Sequence, residues 1–425
     1  MSSADAGNYA SGPLPEALTI PGWRVALIIA SFTFSLPGFL NNAQAGLALG
    51  LNQAALAALL AGLILCAGAC LTAVVSVRTR LTTYMLVQRS FGIWGAALVN
   101  IVIAIIHFCW FGVNVSFFGD AMVAAAQQGY GITGNFQTFV VAGSILITLS
   151  TIWGFRTLDR LAMIAVPFVG VILIGVCVSA LGAAPGLDLG PARTPPVPMS
   201  FGIALSSLVG GNLLTVAAMP DLSRFIRTER GAVAGMLLSF PICAPIIMLV
   251  SALIALATGQ TDIMQLVVGM GFGLPALAML VLSVWTINAL NLYSAGLSMA
   301  ATFPRMKPWA IIMVGGAVGC LFALLGIING FIPFLITLGL IVPPIAAIYV
   351  IDAFHTFRGE ENVPSMPVRW EAIGVWLGSL AITFPATEYG WTLTTVPALD
   401  ATLLAAGAYL AVLRLRTGAA ARQVA

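Results

Sequence analysis

Charge is what this 425-residue chain has least of: 7% of its residues are Asp, Glu, Lys or Arg, where a soluble domain carries roughly 25%. With 60% hydrophobic residues and a mean hydropathy of +1.05, a water-soluble globule is excluded. Histidine is scarce too, at two residues, His107 and His355. Near the centres of the apolar runs up to residue 353 there is no Asp, Glu, Lys or Arg; Asp120, Asp221, Asp352 and Glu388 lie toward run ends. A membrane-embedded enzyme such as a lipid transferase needs acidic or histidine clusters for metal or acid/base chemistry, so that class is a remote alternative and no enzyme is expected. No basic patch with interleaved aromatics is present, so no nucleic-acid partner is expected. The first twenty residues lack the basic start, short apolar core and cleavage site of a secretory signal, which leaves the first apolar run as the insertion signal. All six cysteines fall inside apolar runs, which argues against an external disulfide framework. Cys66 and Cys70, four apart with no histidine or carboxylate nearby, read as helix packing. No cofactor and no obligate protein partner is inferred.

What the chain does have is apolar runs of about 20 residues or more, the length of a helical membrane span. Twelve are expected, over roughly 24–48, 53–77, 95–127, 137–154, 160–183, 201–223, 231–259, 272–303, 308–327, 329–353, 370–389 and 395–416. Of the seventeen basic residues, all but Arg193 fall in alternate gaps between these runs. Cytoplasmic loops carry the Lys/Arg excess, so an inner (plasma) membrane protein with both termini cytoplasmic and an even number of spans is expected. The expected organisation is an N-terminal tail (1–23), a core (24–354, with halves 24–183 and 201–354), a cytoplasmic loop (355–369), two further spans (370–416) and a C-terminal tail (417–425).

Two interruptions stand out. Ser35-Leu36-Pro37-Gly38 lies in the middle of the first span, and Val209-Gly210-Gly211-Asn212 about ten residues into the sixth. The two spans are five apart, so the second enters from the opposite side, which is the arithmetic of a five-plus-five inverted repeat. Paired helix breaks mark the substrate site of secondary transporters, where half-helix ends and unpaired carbonyls bind substrate and cation. A solute met without a fixed counter-charge is uncharged. In the third span His107, Trp110 and Asn114 share one helical face, and an indole flanked by an imidazole and a carboxamide suits a flat polar heterocycle. In the eighth, Asn288 can donate to and accept from such a ring, and Thr286 can lend an oxygen to a hard cation, although a lone threonine usually bonds back to its own helix.

Five stretches stand in order along the chain: Arg80-Leu81-Thr82-Thr83-Tyr84 with Ser90-Phe91-Gly92, Trp110-Phe111-Gly112, Gly210-Gly211 through Asp221-Leu222-Ser223-Arg224-Phe225, Trp285-Thr286 with Asn288, and Val342-Pro343-Pro344 to Asp352. In these the chain resembles the nucleobase:cation symporter family 1, the bacterial cytosine/purine/hydantoin/allantoin permeases. The resemblance implies an all-α integral membrane protein of the LeuT-like fold, with two inverted five-helix repeats and two additional C-terminal helices. It implies a substrate site between spans one, three, six and eight: Trp110 stacks the ring, His107 and Asn114 contact it, Gly211 offers backbone, and Asn288 and Ser35 complete the set. It implies a sodium site at the carbonyls of Ser31, Phe34 and Ser283 and the hydroxyl of Thr286. Asn212 stands where relatives close the ring sandwich with an aromatic, and Ile287 where sodium-using relatives commonly offer a second hydroxyl. The coupling ion is therefore sodium or a proton, with His107 the midplane group that titrates near neutral pH. The implied activity is import of a small neutral heterocycle, a cytosine- or purine-like base first, with allantoin, hydantoin or a hydroxymethylpyrimidine thiamine precursor behind it.

Overall fold

In the computed structural model, residues 12–33, 35–152, 155–261, 266, 273–303, 305–357 and 366–424 are described. Among these residues the regular structure is helical, in chain order α1 (Gly22–Thr33), α2 (Leu36–Thr79), α3 (Thr83–Tyr130), α4 (Phe136–Thr151), α5 (Phe155–Gly182), α6 (Phe201–Ala217), α7 (Met219–Ser223), α8 (Glu229–Leu238), α9 (Ala244–Thr258), α10 (Gly273–Thr302), α11 (Pro308–Leu324), α12 (Phe331–His355), α13 (Trp370–Glu388) and α14 (Pro397–Val424). One pair of residues, Ile20 and Ile226, forms an isolated β-bridge. Among the described residues, five stretches are long and apolar enough to cross a membrane: Leu36–Thr79, Thr83–Gln127, Glu229–Thr258, Pro333–His355 and Pro397–Arg416. Shorter apolar helices occupy Phe136–Thr151, Pro167–Gly182, Phe201–Ala217 and Trp309–Leu324.

The 44 residues of α2 would reach about 66 Å at 1.5 Å per residue, twice a hydrocarbon core of ~30 Å. They do not run straight but turn at Gly50, whose φ of +74° favours glycine. A side chain there would also strike the Leu189–Pro191 backbone, which pairs with the turn through Leu51 N–H to Leu189 O and Ala192 N–H to Leu47 O. Gly92, at φ +78°, divides α3 in the same way, so residues 83–91, expected as loop, form a separate helical segment before the third span. Thr82 caps that segment by accepting the Met85 N–H at 3.2 Å.

The interruption of the first span lies where proline and glycine placed it: Ser35 is extended (φ −76°, ψ 150°) and its Oγ accepts the Gly38 N–H at 3.2 Å. The second differs from expectation. Helix α6 continues through Gly210-Gly211-Asn212 and ends at Ala218, so the break in span six lies about seven residues later than its glycines suggested. Proline explains the position. Pro220 has no N–H to donate to Val216 O, four residues earlier, and its ring clashes with that carbonyl, so neighbours take up the freed groups. Val216 O accepts from Thr72 Oγ1 at 3.0 Å, Ala217 O from Tyr349 Oη at 2.7 Å, and Pro220 O from Ser76 Oγ at 2.9 Å. Broken backbone inside a membrane protein requires such partners. Gly210 serves packing instead, since a Cβ there would lie 3.1 Å from Leu335 O of α12.

Packing divides the helices. Helix α2 lies against α6, α8 and α9, while α3 lies against α4, α10 and α11. Small residues permit the close crossings: a Cβ on Gly112 of α3 would lie 2.7 Å from Gly319 O of α11. Helices α13 and α14 attach to α12 through a buried ionic knot. Arg369 Nη1 donates to Asp352 Oδ2 at 2.6 Å, Tyr409 Oη to Asp352 Oδ1 at 2.9 Å, and Arg369 Nη2 to Tyr409 Oη at 3.0 Å. Many basic residues meet at one end of the bundle. Arg80 donates to the carbonyls of Arg224, Ile226 and Arg227, Arg78 pairs with Glu229, and Arg369 donates to Arg89 O.

Candidate functional site

Between the two packing groups, at the level of the helix breaks, lies a cavity of about 110 Å³. At roughly 10–15 Å³ of such space per water, it holds on the order of seven to eleven waters, about the heavy-atom count of one small ring system. Its wall is drawn mainly from α2, α3, α6, α9, α10 and α12, and among the described residues it contains no Asp, Glu, Lys or Arg.

Five of the seven expected substrate residues reach this wall: Ser35, His107, Trp110, Gly211 and Asn212. Trp110 is held at steep angles by Phe331 (ring centroids 6.2 Å apart, 83°) and Phe334 (5.5 Å, 67°) of α12. Asn212 turns its Nδ2 back to Leu208 O at 3.0 Å, which leaves its oxygen and its second N–H to offer a ligand. Gly211 sits within the continuous part of α6, and its open Cβ direction, with only the Leu335 side chain at 4.0 Å, leaves room beside the cavity.

Asn114 and Asn288 do not reach the wall. Asn114 donates Nδ2 to Trp110 O at 2.8 Å, one turn back on its own helix, and is fully buried. Asn288 stands behind the wall as a support: its Nδ2 points at Phe111 O at 3.4 Å, and its Oδ1 accepts Asn291 Nδ2 at 3.4 Å. With that amide so oriented, Asn291 Oδ1 accepts from His107 Nδ1 at 3.2 Å, which leaves His107 Nε2 as the acceptor facing Tyr84 Oη at 3.4 Å. Asn291, not among the expected site residues, is therefore the amide of α10 on the wall. The signal was the Asn288/Asn291 pair one turn apart; which of the two faces inward depends on helix rotation. Asn41, Asn42, Thr215 and Ser294 also line the cavity. Two adjacent mid-span asparagines were a legible signal for the first pair. Phe331 was not foreseen either, and it brings an aromatic ring to the wall from α12 where α6 supplies none.

Of the sodium set, Phe34 lies outside the described residues, and Ser31 is in the last turn of α1. Helices α1 and α10 touch. Ser283 and Thr286 are buried, and Thr286 Oγ1 donates to Leu282 O at 2.7 Å, the back-bonding a lone helical threonine favours. Ile287 is among the residues that line the cavity.

Residues 25–410 match the sequence family described as permease for cytosine/purines, uracil, thiamine, allantoin. The chain belongs to this family. Among the permease's relatives are the cytosine permeases of Escherichia coli O157:H7 and of Escherichia coli strain K12, each 27% identical over 409 residues, covering 95% of this chain and 93% of the relative. Its fold is that of Mhp1, a nucleobase-cation-symport-1 family transporter solved in a closed conformation with bromovinylhydantoin bound (TM-score 0.81, 18% identity, 96% of each chain covered). The inward-facing form of Mhp1 gives a TM-score of 0.78, with 19% identity over 96% of this chain and 94% of that one. A Na+-coupled sialic acid symporter, substrate-bound and outward-open, gives 0.68 at 12% identity over 93% of this chain and 90% of that one. The permease is thus a multi-pass membrane transporter and not an enzyme.

Proposed function

We propose that the permease imports a small neutral nitrogen heterocycle together with a cation, by alternating access around the breaks at Ser35 and Ala218. The observation that supports this reading most is the ring-sized, uncharged cavity, which sets Trp110 and Phe331 among amides and hydroxyls. An uncharged planar solute exchanges its hydration for these groups without stranding a buried charge. A pyrimidine or purine base is the first candidate. Hydantoins and allantoin come next because Asn212 makes the α6 side of the wall polar. The accompanying topology is twelve spans in two inverted repeats of five plus α13 and α14, with both termini and the arginine-rich end cytoplasmic.

The test is a thermal-shift screen of the purified protein against cytosine, uracil, hypoxanthine, hydantoin and allantoin. A ligand at one hundred times its Kd adds about 2.7 kcal/mol to apparent stability. Absence of a shift with every compound would contradict the reading. Within the same panel, Asn212→Phe shifts preference toward cytosine-like planar bases by adding an aromatic face to α6; matching profiles in variant and parent would remove Asn212 from the recognition surface.

A sodium ion at the seam of α1 and α10 would have four protein oxygens, the carbonyls of Ser31, Phe34 and Ser283 and Thr286 Oγ1, with Ile287 adding none. Hard cations gain with each oxygen ligand. Ile287→Thr is therefore expected to create or strengthen sodium dependence of uptake, and Thr286→Val to remove whatever dependence the parent shows; equal sodium dependence in all three proteins would refute a site at this seam.

A further inference from the structure

The hydrogen-bonded chain that begins at Asn291 does not end at His107. Tyr84, fully buried in the first segment of α3, places its hydroxyl 3.4 Å from His107 Nε2 and beside the carboxylate of Asp221. Asp221 lies in α7, just past the break in span six, and is itself fully buried. Its Oδ1 accepts the Thr83 N–H at 2.9 Å, while Oδ2 makes no hydrogen bond among the described residues; the equally buried Thr83 Oγ1 makes none either. Arg224 on the following turn, Tyr84 of α3, Tyr293 of α10 and Tyr349 of α12 are the charged or titratable groups that face Asp221. Ser294 of α10, which joins the cavity wall, is also a neighbour of Asp221. Arg224 Nη2 donates to Tyr293 Oη at 3.2 Å, and Tyr349 Oη donates to Ala217 O.

Counting protons along this chain exposes a deficit. Tyr84 has one hydroxyl proton, which goes to His107 Nε2, and among the described residues no donor meets the buried Asp221 Oδ2. A proton bound at Asp221 Oδ2 satisfies that oxygen and gives it an O–H to offer the neighbouring Tyr84 hydroxyl, while Tyr84 donates to His107 Nε2 and His107 Nδ1–H to Asn291 Oδ1 at the cavity wall. We propose that Asp221 is the proton-binding site of the transport cycle, reached from the substrate cavity through His107 and Tyr84, and that a proton is the ion that drives import. The proposal rests on the transport reading above. A ligand that draws on Asn291 or His107 acts on the same chain as the proton at Asp221, and linkage makes the two affinities reciprocal.

The test uses the full-length protein in liposomes with labelled cytosine, uracil, hypoxanthine and allantoin as probes. Two readouts are compared: counterflow, which exchanges substrate without net proton movement, and accumulation driven by an inside-alkaline pH gradient. Asp221→Asn keeps an acceptor for the Thr83 N–H and presents an N–H where the protonated acid presents an O–H. It is expected to hold counterflow within about twofold of the parent while gradient-driven accumulation falls by about tenfold or more. Tyr84→Phe, which cuts the chain without touching the carboxylate, is expected to do the same and decides the question if the asparagine variant does not fold. Undiminished gradient-driven accumulation in these variants, counterflow lost in step with accumulation, or a parent driven by sodium and indifferent to the pH gradient would each overturn the assignment. A parent with no counterflow of any probe would instead overturn the transport reading on which it rests.

Discussion

Trp110→Ala weakens substrate binding about 5- to 150-fold, since stacking a base on an aromatic ring is worth roughly 1–3 kcal/mol, and uptake at low substrate concentration falls with it. The indole is an 8%-exposed wall of the cavity and is fixed by Phe331 and Phe334, so it meets a ligand without first having to be ordered. Pre-ordering makes its removal costly for affinity, because the alanine variant loses both contact area and a rigid face. Trp110→Phe retains part of the affinity. Equilibrium binding of labelled base to purified parent and variants, at matched folded protein, measures the effect. Unchanged affinity in the alanine variant would exclude Trp110 from the site.

Arg369→Met costs about 3–5 kcal/mol of stability, the range found when one partner of a buried ion pair is removed, against a total of roughly 5–15 kcal/mol for a folded domain. Asp352 is fully buried and loses both guanidinium contacts, keeping the Tyr409 and Thr356 hydroxyls. Because this knot fastens α13 and α14 to α12 and lies outside the cavity wall, the loss appears in folded yield and in heat resistance on size-exclusion, not in affinity per folded molecule. Arg369→Met combined with Asp352→Leu recovers part of the stability, since no charge is then stranded. Equal thermal stability of parent and Arg369→Met would refute the role.

How far the sequence foretells this structure depends on which force sets each feature. Membrane immersion follows from composition, because too few charges remain to cover a soluble surface. The break at Ser35 is legible since its proline, glycine and capping serine act within one turn. In span six the same signs mislead: Gly210 answers to the approach of Leu335 on α12, and Pro220 places the break through its clash with Val216, whose freed carbonyl is met by Thr72 on α2. Those are contacts between distant segments. Trp110 and His107 on the wall follow from helical spacing, yet Asn114 shares that spacing and turns back to Trp110 O, a rotamer choice that periodicity does not carry. The exchange of Asn288 for Asn291 is a matter of how α10 is rotated about its axis. Phe331 enters the site from α12, more than two hundred residues from Trp110, and only the packed structure brings the two rings together.

The most direct test of the account is a structure of the permease determined with a bound base. The ring is expected in the cavity against Trp110, with its polar edge toward Asn291, Ser35 and the Asn212 oxygen, and with the protein closed around it. A base bound elsewhere, or one in the cavity that leaves Trp110 and Asn291 untouched, would contradict it.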